Sequence, residues 1–358
     1  MDIISFHDLN DSQKELMLES ALGNEGKVIS RTNGMCGDIY IFDRGENTIP
    51  QYSCAKLPKL LSSGSEKEIY VRFVNELKNQ LKYYHHQYVH WAYDFKEVMG
   101  VPVALFRYWG SDLKKLINEP SVSDLNKLSV MTYLCVGLRH CYSKGLVSHQ
   151  DLKPENIFIR NVRKDFTGLP DTDVFNFPLV GDFGLANAFL DSSLFDGSRP
   201  YMAPEQWGKN PLSSKTDVFA LGVILFQLMA GGFHPIGIKL NDYWPVPIEG
   251  NSKKWTRPEP WMKWAINGAA IDNNLKELID SSILQLINKM LSLSPNERPE
   301  ISEVIENLLD LIKSRDPNGF GQVNFLISHY DAKVSTESFE TLWPSLFHRW
   351  QKFEEKFG

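Results

Sequence analysis

Between residues 27 and 60 apolar and polar positions alternate, punctuated by glycine and proline, in KVISRTNGMCGDIYIFDRG and then QYSCAKL. That pattern predicts a strand-rich meander after a polar lead ending near Gly26. In SEKEIYVRFVNELKNQLK, residues 65–82, Ile69, Phe73, Leu77 and Leu81 recur at four-residue steps, the stripe of an amphipathic helix. From about residue 123 the helical period dominates, in SDLNKLSVMTYLCVGLRHCYSKG, KTDVFALGVILFQLMAGG, SSILQLINKML and SEVIENLLDLIKS. A strand-rich segment followed by a larger helical one predicts an α+β architecture of two subdomains. The stretch Arg160 to Phe177 mixes charges, glycine and proline between two short apolar runs and reads as an exposed insertion. After Asp316 the chain ends in FETLWPSLFHRWQKFEEKFG, where Trp343, Phe347, Trp350 and Phe357 predict an aromatic-faced helix. Packing of that face on the chain's own surface is favoured over a partner, because an exposed patch of its size promotes aggregation.

Composition narrows the classes. With 358 residues, 42% hydrophobic and 12% aromatic, the chain can bury one large core or two coupled ones. A formal charge of -6, from 38 Lys+Arg and 44 Asp+Glu, lacks the footprint of a nucleic-acid binder, although a local basic patch stays open. The longest apolar stretch, Val218 to Ala230, is too short to span a bilayer and reads as a core helix. Cys36, Cys54, Cys135 and Cys141 lack C-x-x-C spacing, which argues against a zinc site or disulfide framework and for buried thiols in a reducing compartment. The start, MDIISFHDLNDSQKEL, is acidic where a secretory signal is basic, so the expected location is cytoplasmic.

The chemistry sits in three ordered motifs. HQDLKPENIFI places Asp151 and Asn156 five residues apart on a loop feeding an apolar strand. LVGDFGLA follows with Asp182, a hard oxygen donor suited to a hard cation. GSRPYMAPEQW comes next and carries Glu205, with Arg298 far downstream in SPNERPEISEV. Together these resemble the H-R-D-x-K-x-x-N catalytic loop, the D-F-G motif and the closing A-P-E of eukaryotic-type protein kinases. The Lys in DLKPEN resembles the serine/threonine branch.

The resemblance covers roughly residues 27–314 and implies a bilobal protein-kinase fold. Its strand-rich N-lobe, with one main helix, would span residues 27–107 and its helical C-lobe 108–314, between an N-terminal extension (1–26) and an aromatic-rich helical one (315–358). It implies ATP as phosphoryl donor with Mg2+, or Mn2+ in its place, and protein Ser/Thr hydroxyls as acceptors. Asp151 would accept or orient the acceptor's proton, Lys153 would neutralise the γ-phosphoryl group, and Asn156 and Asp182 would bind the metal. Upstream, Thr32, Gly34, Gly37 and Ile39 fit the glycine-rich nucleotide loop with its first glycine replaced. Cys54 and Lys56 follow on a strand, with Lys56 on the phosphates and Glu76 holding it. Phe106 fits the gatekeeper position, Tyr108 and Trp109 would flank adenine, and Asp112 would lie near the ribose. Glu205 with Arg298 would form a buried anchor, and Asp217 would brace the catalytic loop.

Departures from the pattern keep alternatives open. Gln150 replaces the HRD arginine, and a neutral amide cannot pair with an activation-segment phosphate. Activity is therefore expected not to require phosphorylation of Ser192 or Ser193, which equally read as plain solvated loop residues. Arg31 and Thr32 alter the nucleotide loop, and Gln80 stands where an apolar residue usually packs under the site. His85 and His86 read as a helix-to-strand turn rather than a metal pair. Glu155 reads as a solvated position ahead of a docking carboxylate for basic substrates. The leading expectation is an active kinase with no nucleic-acid partner and no membrane span; oligomeric state is not indicated. A pseudokinase that binds nucleotide without transfer is the alternative. A small-molecule phosphotransferase of related fold is disfavoured by Glu205 and Arg298.

Overall fold

Alternation between residues 27 and 60 becomes antiparallel sheet. The computed structural model describes residues 5–33, 37–60, 65–84, 86–192, 194–334 and 337–358. In chain order, helix α1 (Asp11–Ala21) precedes β1 (Lys27–Asn33), β2 (Gly37–Asp43), β3 (Tyr52–Pro58), α2 (Glu66–Lys82), β4 (Ala92–Val98) and β5 (Val101–Arg107). Next come α3 (Leu113–Ile117), α4 (Asp124–Ser143), β6 (Ile157–Asn161), β7 (Asn176–Val180), α5 (Ala188–Ser192), α6 (Pro204–Trp207) and α7 (Ser214–Met229). The rest is α8 (Pro258–Ile266), α9 (Asn273–Lys276), α10 (Ser281–Met290), α11 (Ile301–Arg315), α12 (Pro317–Asp331), α13 (Phe339–Leu342) and α14 (Pro344–Phe357). The chain divides into two units, one of Met1–Tyr84, Trp91–Gly110 and Ser335–Gly358, the other of His85–His90 and Ser111–Val334.

In the first unit the strands run β1-β2-β3-β5-β4, antiparallel throughout. Ser65 caps α2 in a reciprocal box with Glu68, which satisfies two orphan donors at the start of the predicted amphipathic helix. Ile69, Phe73, Leu77 and Leu81 are buried as their spacing predicts, joined by Tyr70, Val74 and Gln80. Both chain ends enter the same core, with Phe6 and Leu18 at one end and Trp350, Phe353 and Phe357 at the other. Edge strands expose unpaired backbone groups that need covering. Here Glu19 of α1 accepts the Val28 N–H of β1 at 2.9 Å, and Tyr93 of β4 donates its hydroxyl to Glu25 at 2.6 Å. The aromatic face of the tail differs from the predicted one. Trp343 lies before α14 and is 40% exposed, Phe347 is half-buried, and the buried stripe is Leu346, Trp350, Phe353 and Phe357. The helix begins only at Pro344, so the 3.6-residue period is counted from there.

The second unit is built around α7, which is buried from Thr216 to Leu228, because its apolar residues occur on every face. The β6–β7 ladder pairs Ile157 with Val180 and Asn161 with Asn176. The stretch Arg160 to Phe177 is exposed through its middle, with no buried residue from 163 to 173, as expected of an insertion, but its two ends are anchored. Val162, Val174, Phe175 and Phe177 are buried, Tyr133 donates to the Val174 carbonyl at 3.1 Å, and Thr172 bonds Gln322 of α12. Phe177 and Phe166 also meet the Tyr330 ring of α12, at 5.4 and 6.0 Å between centroids. The segment 315–358 is thus divided, α12 lying in the second unit and α13 and α14 in the first.

Candidate active site

Strand register in the first unit places the nucleotide-facing candidates. Lys56 on β3 pairs with Ile39 of β2 and Ala104 of β5, and Thr32 of β1 pairs with Ile39. The Lys56 amine forms an ion pair with Glu76 of α2, with only 15% and 11% of the two side chains exposed. A long flexible amine loses rotamer entropy when it is held extended, and the partially buried carboxylate offsets that loss. Gly37 has no room for a side chain, since a Cβ there would come 2.7 Å from the Leu57 carbonyl oxygen. Gly34 lies outside the described residues. Cys54 pairs with Phe106, and burial pushes its thiol up to about 12, so it stays neutral. Past β5, Tyr108 donates its N–H to the Tyr52 carbonyl at 3.1 Å, and the Arg107 guanidinium lies 4.1 Å from the Trp109 ring centroid. The unusual Arg31 is held by Asp11 of α1 and lies over the Tyr40 ring, so the departure in the nucleotide loop is matched by the helix preceding it.

In the second unit Asp217 organises the catalytic loop. Its buried carboxylate accepts the N–H groups of His149 (2.8 Å) and Gln150 (3.2 Å) and the hydroxyls of Ser148 (3.0 Å) and Tyr142 (2.9 Å). Burial raises that carboxyl above its ordinary range, and the donors oppose the rise. Gln150 is thereby held at φ 67, a left-handed conformation a non-glycine residue adopts only when its surroundings enforce it. The His149 ring donates from Nε2 to the Gly181 carbonyl at 3.1 Å, tying the loop to the end of β7.

Asp151 is the hub. Its Oδ1 accepts the Ser198 N–H at 2.7 Å, and its Oδ2 accepts from Lys153 at 2.8 Å and from Asn156 at 3.1 Å. Lys153 also reaches the Ser198 hydroxyl at 3.0 Å. Burial works against the Lys153 charge, but Asp151, Asp182 and Glu155 outweigh it and raise the amine above its ordinary range. Asn156 and Asp182 flank one end of the β6–β7 ladder, where the Gly181 N–H donates to the Asn156 carbonyl at 2.9 Å. Asp182 is left-handed at φ 57, which turns the chain sharply after the strand. No group of three His, Cys, Asp or Glu side chains is placed to hold a metal among the described residues. Two hard oxygen donors on one ladder end fit magnesium, which takes one or two protein ligands and completes its shell with phosphates and water.

Further out, Asp112 caps α3 by accepting the Lys115 N–H at 2.9 Å, and burial raises its carboxyl. Glu155 pairs with Lys114 at 2.9 Å. Glu205 receives both Arg298 guanidinium nitrogens, at 2.6 and 2.9 Å, with the arginine side chain fully buried. Losing one partner of such a pair strands a buried charge. His86 accepts the Tyr88 N–H at Nδ1 over 3.3 Å and stacks on His140 at 4.5 Å, which is turn geometry; His85 lies outside the described residues. Sequence reading missed Gln206 and Asn187. Gln206 donates to the carbonyls of Gln150 (3.0 Å) and Asp196 (3.2 Å), and Asn187 accepts the N–H groups of Val147 and Ser148 at 2.8 and 3.2 Å. Neutral amides bonding backbone leave no motif, so no signal pointed to either.

A five-stranded antiparallel sheet with one long helix in one unit, and a helical unit carrying an Asp–Lys–Asn loop beside a two-stranded ladder, define the bilobal kinase class. The family model described as Protein kinase domain matches residues 50–309, and the chain belongs to the protein kinase family. It is 26% identical over 216 residues to a calcium and calcium/calmodulin-dependent serine/threonine-protein kinase of Lotus japonicus, covering 58% of this chain and 36% of that one. An interferon-induced, double-stranded RNA-activated protein kinase of Mus musculus is 29% identical over 197 residues, 54% of this chain and 31% of its own. A calcium and calcium/calmodulin-dependent serine/threonine-protein kinase of Pisum sativum is 24% identical over 276 residues, 74% of this chain and 46% of its own. The chain thus spans from under a third to under a half of these relatives' own length.

Proposed function

We propose that this chain transfers the γ-phosphoryl group of ATP to serine or threonine hydroxyls of proteins, and that it does so without phosphorylation of its activation segment. The observation that carries the transfer is the Asp151 hub, where one carboxylate is fixed by Lys153, Asn156 and the Ser198 N–H. An acceptor hydroxyl beside Asp151 would pass its proton to the carboxylate as its oxygen bonds to phosphorus and the bond to the ADP leaving oxygen breaks. The raised pKa of Lys153 keeps it cationic at neutral pH, so it can balance charge on the moving phosphoryl group. Lys56, steadied by Glu76, would hold the α- and β-phosphates. Asp182 and Asn156 are the residues that would hold magnesium, which when bound screens the phosphate charge. A cytoplasmic setting is part of the proposal, supported by the buried free thiols of Cys54, Cys135 and Cys141.

Order in the activation segment is supported by neutral groups. The Gln150 amide donates to the Leu194 carbonyl at 2.9 Å and accepts the Phe189 N–H at 3.0 Å. A second reading, a nucleotide-binding scaffold without transfer, draws on the same hub, since both Asp151 oxygens already accept hydrogen bonds. Purified full-length chain with labelled ATP, magnesium and a protein acceptor separates the two. Asp151→Asn is expected to lower kcat by roughly 10²–10⁴-fold with little change in the KM for ATP. Label transfer that survives Asp151→Asn and Lys56→Met unchanged would refute the transfer mechanism, and nucleotide binding with no label on the acceptor in any chain would establish the scaffold.

A further inference from the structure

Arg199 follows the residue that touches both Asp151 and Lys153. The Ser198 N–H donates to Asp151 Oδ1 at 2.7 Å, and the Ser198 hydroxyl accepts from Lys153 at 3.0 Å. The Arg199 side chain, half-buried, is held by the stretch 240–257. Its Nη1 donates to the Thr256 carbonyl at 2.6 Å, and the guanidinium lies 5.7 Å from the Trp244 ring centroid. A backbone carbonyl and an aromatic face orient a guanidinium without neutralising it. No carboxylate pairs with Arg199 among the described residues, and its Nε and Nη2 donors are unspent. Those two point in parallel along one edge of the guanidinium plane, the geometry that a carboxylate accepts.

Charge nearby points the same way. Lys254 and Arg257 stand on either side of Thr256 and are exposed, Lys254 lying 4.7 Å from the Trp255 ring centroid. Asp242, Glu249 and Glu259 occur in or beside the same stretch, and none of them pairs with these cations among the described residues. Glu155, the carboxylate that would attract a basic acceptor, already shares its charge with Lys114 at 2.9 Å.

We infer that Arg199 is a specificity-determining residue, selecting protein acceptors that carry an aspartate or glutamate within a few residues of the hydroxyl. An extended peptide advances about 3.3 Å per residue. With its hydroxyl beside Asp151, the next few residues therefore fall within reach of the long Arg199 side chain. A carboxylate there meets the open edge of the guanidinium, whereas a lysine there meets like charge. The effect on acceptor choice rests on the proposed transfer at Asp151; binding of an acidic peptide stands on the geometry around Arg199 alone.

The test uses full-length chain and matched serine peptides whose flanking residues are Asp, Ala or Lys, each with a twin in which alanine replaces the serine. Fluorescence anisotropy of the alanine twins reads binding, and labelled ATP with the serine peptides reads transfer. The Asp twin is expected to bind about tenfold tighter than the Ala twin, with the KM of the serine peptides ordered the same way. Arg199→Gln, which keeps a donor for the Thr256 carbonyl without the charge, should erase the difference. Arg199→Glu should make the Lys peptide the tighter one, a gain that a misfolded chain does not give. Equal affinity for the Asp and Ala twins in the parent chain overturns the inference, as does an Asp preference that survives Arg199→Glu or label transfer with the same KM for both serine peptides. If no serine peptide is labelled in any chain while the Asp preference and its reversal hold in binding, the anion site stands and the transfer reading falls.

Discussion

His234 is fully buried, and both ring nitrogens are engaged only in its neutral form. Nε2 donates to the Pro200 carbonyl at 2.9 Å, and Nδ1 accepts the Ile236 N–H at 3.1 Å. Burial lowers its pKa to about 3. The unfolded chain therefore binds a proton below about pH 6.5 that the folded chain refuses down to about pH 3, so stability falls as pH falls through that window. The slope from this group alone is up to ~1.4 kcal/mol per pH unit. His234→Gln, which keeps a donor for Pro200 and does not titrate, should flatten the loss between pH 6 and 4 in urea unfolding. Parallel slopes for the two chains would remove His234 as the cause. Residues of this kind, like Gln206 and Asn187, were invisible beforehand, because their roles lie in backbone atoms far along the chain. Lys56 with Glu76 and Glu205 with Arg298 were legible through the resemblance to the kinase motifs, which implies both pairs, and the structure forms them.

At the scale of elements, the activation segment joins residues far apart in sequence. Gln150 holds Phe189 and Leu194, Gln206 holds Gln150 and Asp196, and the Ser198 N–H meets Asp151. None of these five contacts needs an added phosphate. Ser192→Ala with Ser193→Ala should leave turnover within about twofold, whereas Gln150→Ala should speed hydrogen exchange across residues 187–196 and lower kcat about tenfold, the loss of two net hydrogen bonds of ~1 kcal/mol each being enough. Loss of turnover in the double alanine chain would end phosphate independence. The amphipathic period of α2 and the core run of α7 were read correctly, because periodicity records which face is buried. The tail was read correctly as an aromatic helix packed on the chain itself, with Trp350 and Phe357 buried. Which residues complete its face was not legible, because what covers Trp350 is Phe95 of β4, remote in sequence, just as Phe177 meets Tyr330 of α12.

At the scale of the whole molecule, the core of the first unit is larger than the motifs that announce the family. Leu18 is fully buried beside Leu22, Phe6 and the strand residues, although it precedes the glycine-rich hairpin. Leu18→Ala should cost about 2–5 kcal/mol in urea unfolding, the range of any buried leucine. A loss under about 0.5 kcal/mol, typical of surface substitutions, would mark residues 1–26 as a detachable extension. The residues alone announced the strand-rich stretch at 27–60, the helices over 65–82 and 218–230, the charged candidates and the family, because periodicity, charge and motif order are local or one-dimensional properties. Tertiary structure alone decided that both chain ends complete the sheet's core, that neutral amides tie the activation segment, and that α14 lies against α2. Those outcomes depend on which apolar faces and backbone donors meet in space, and linear spacing carries no record of that.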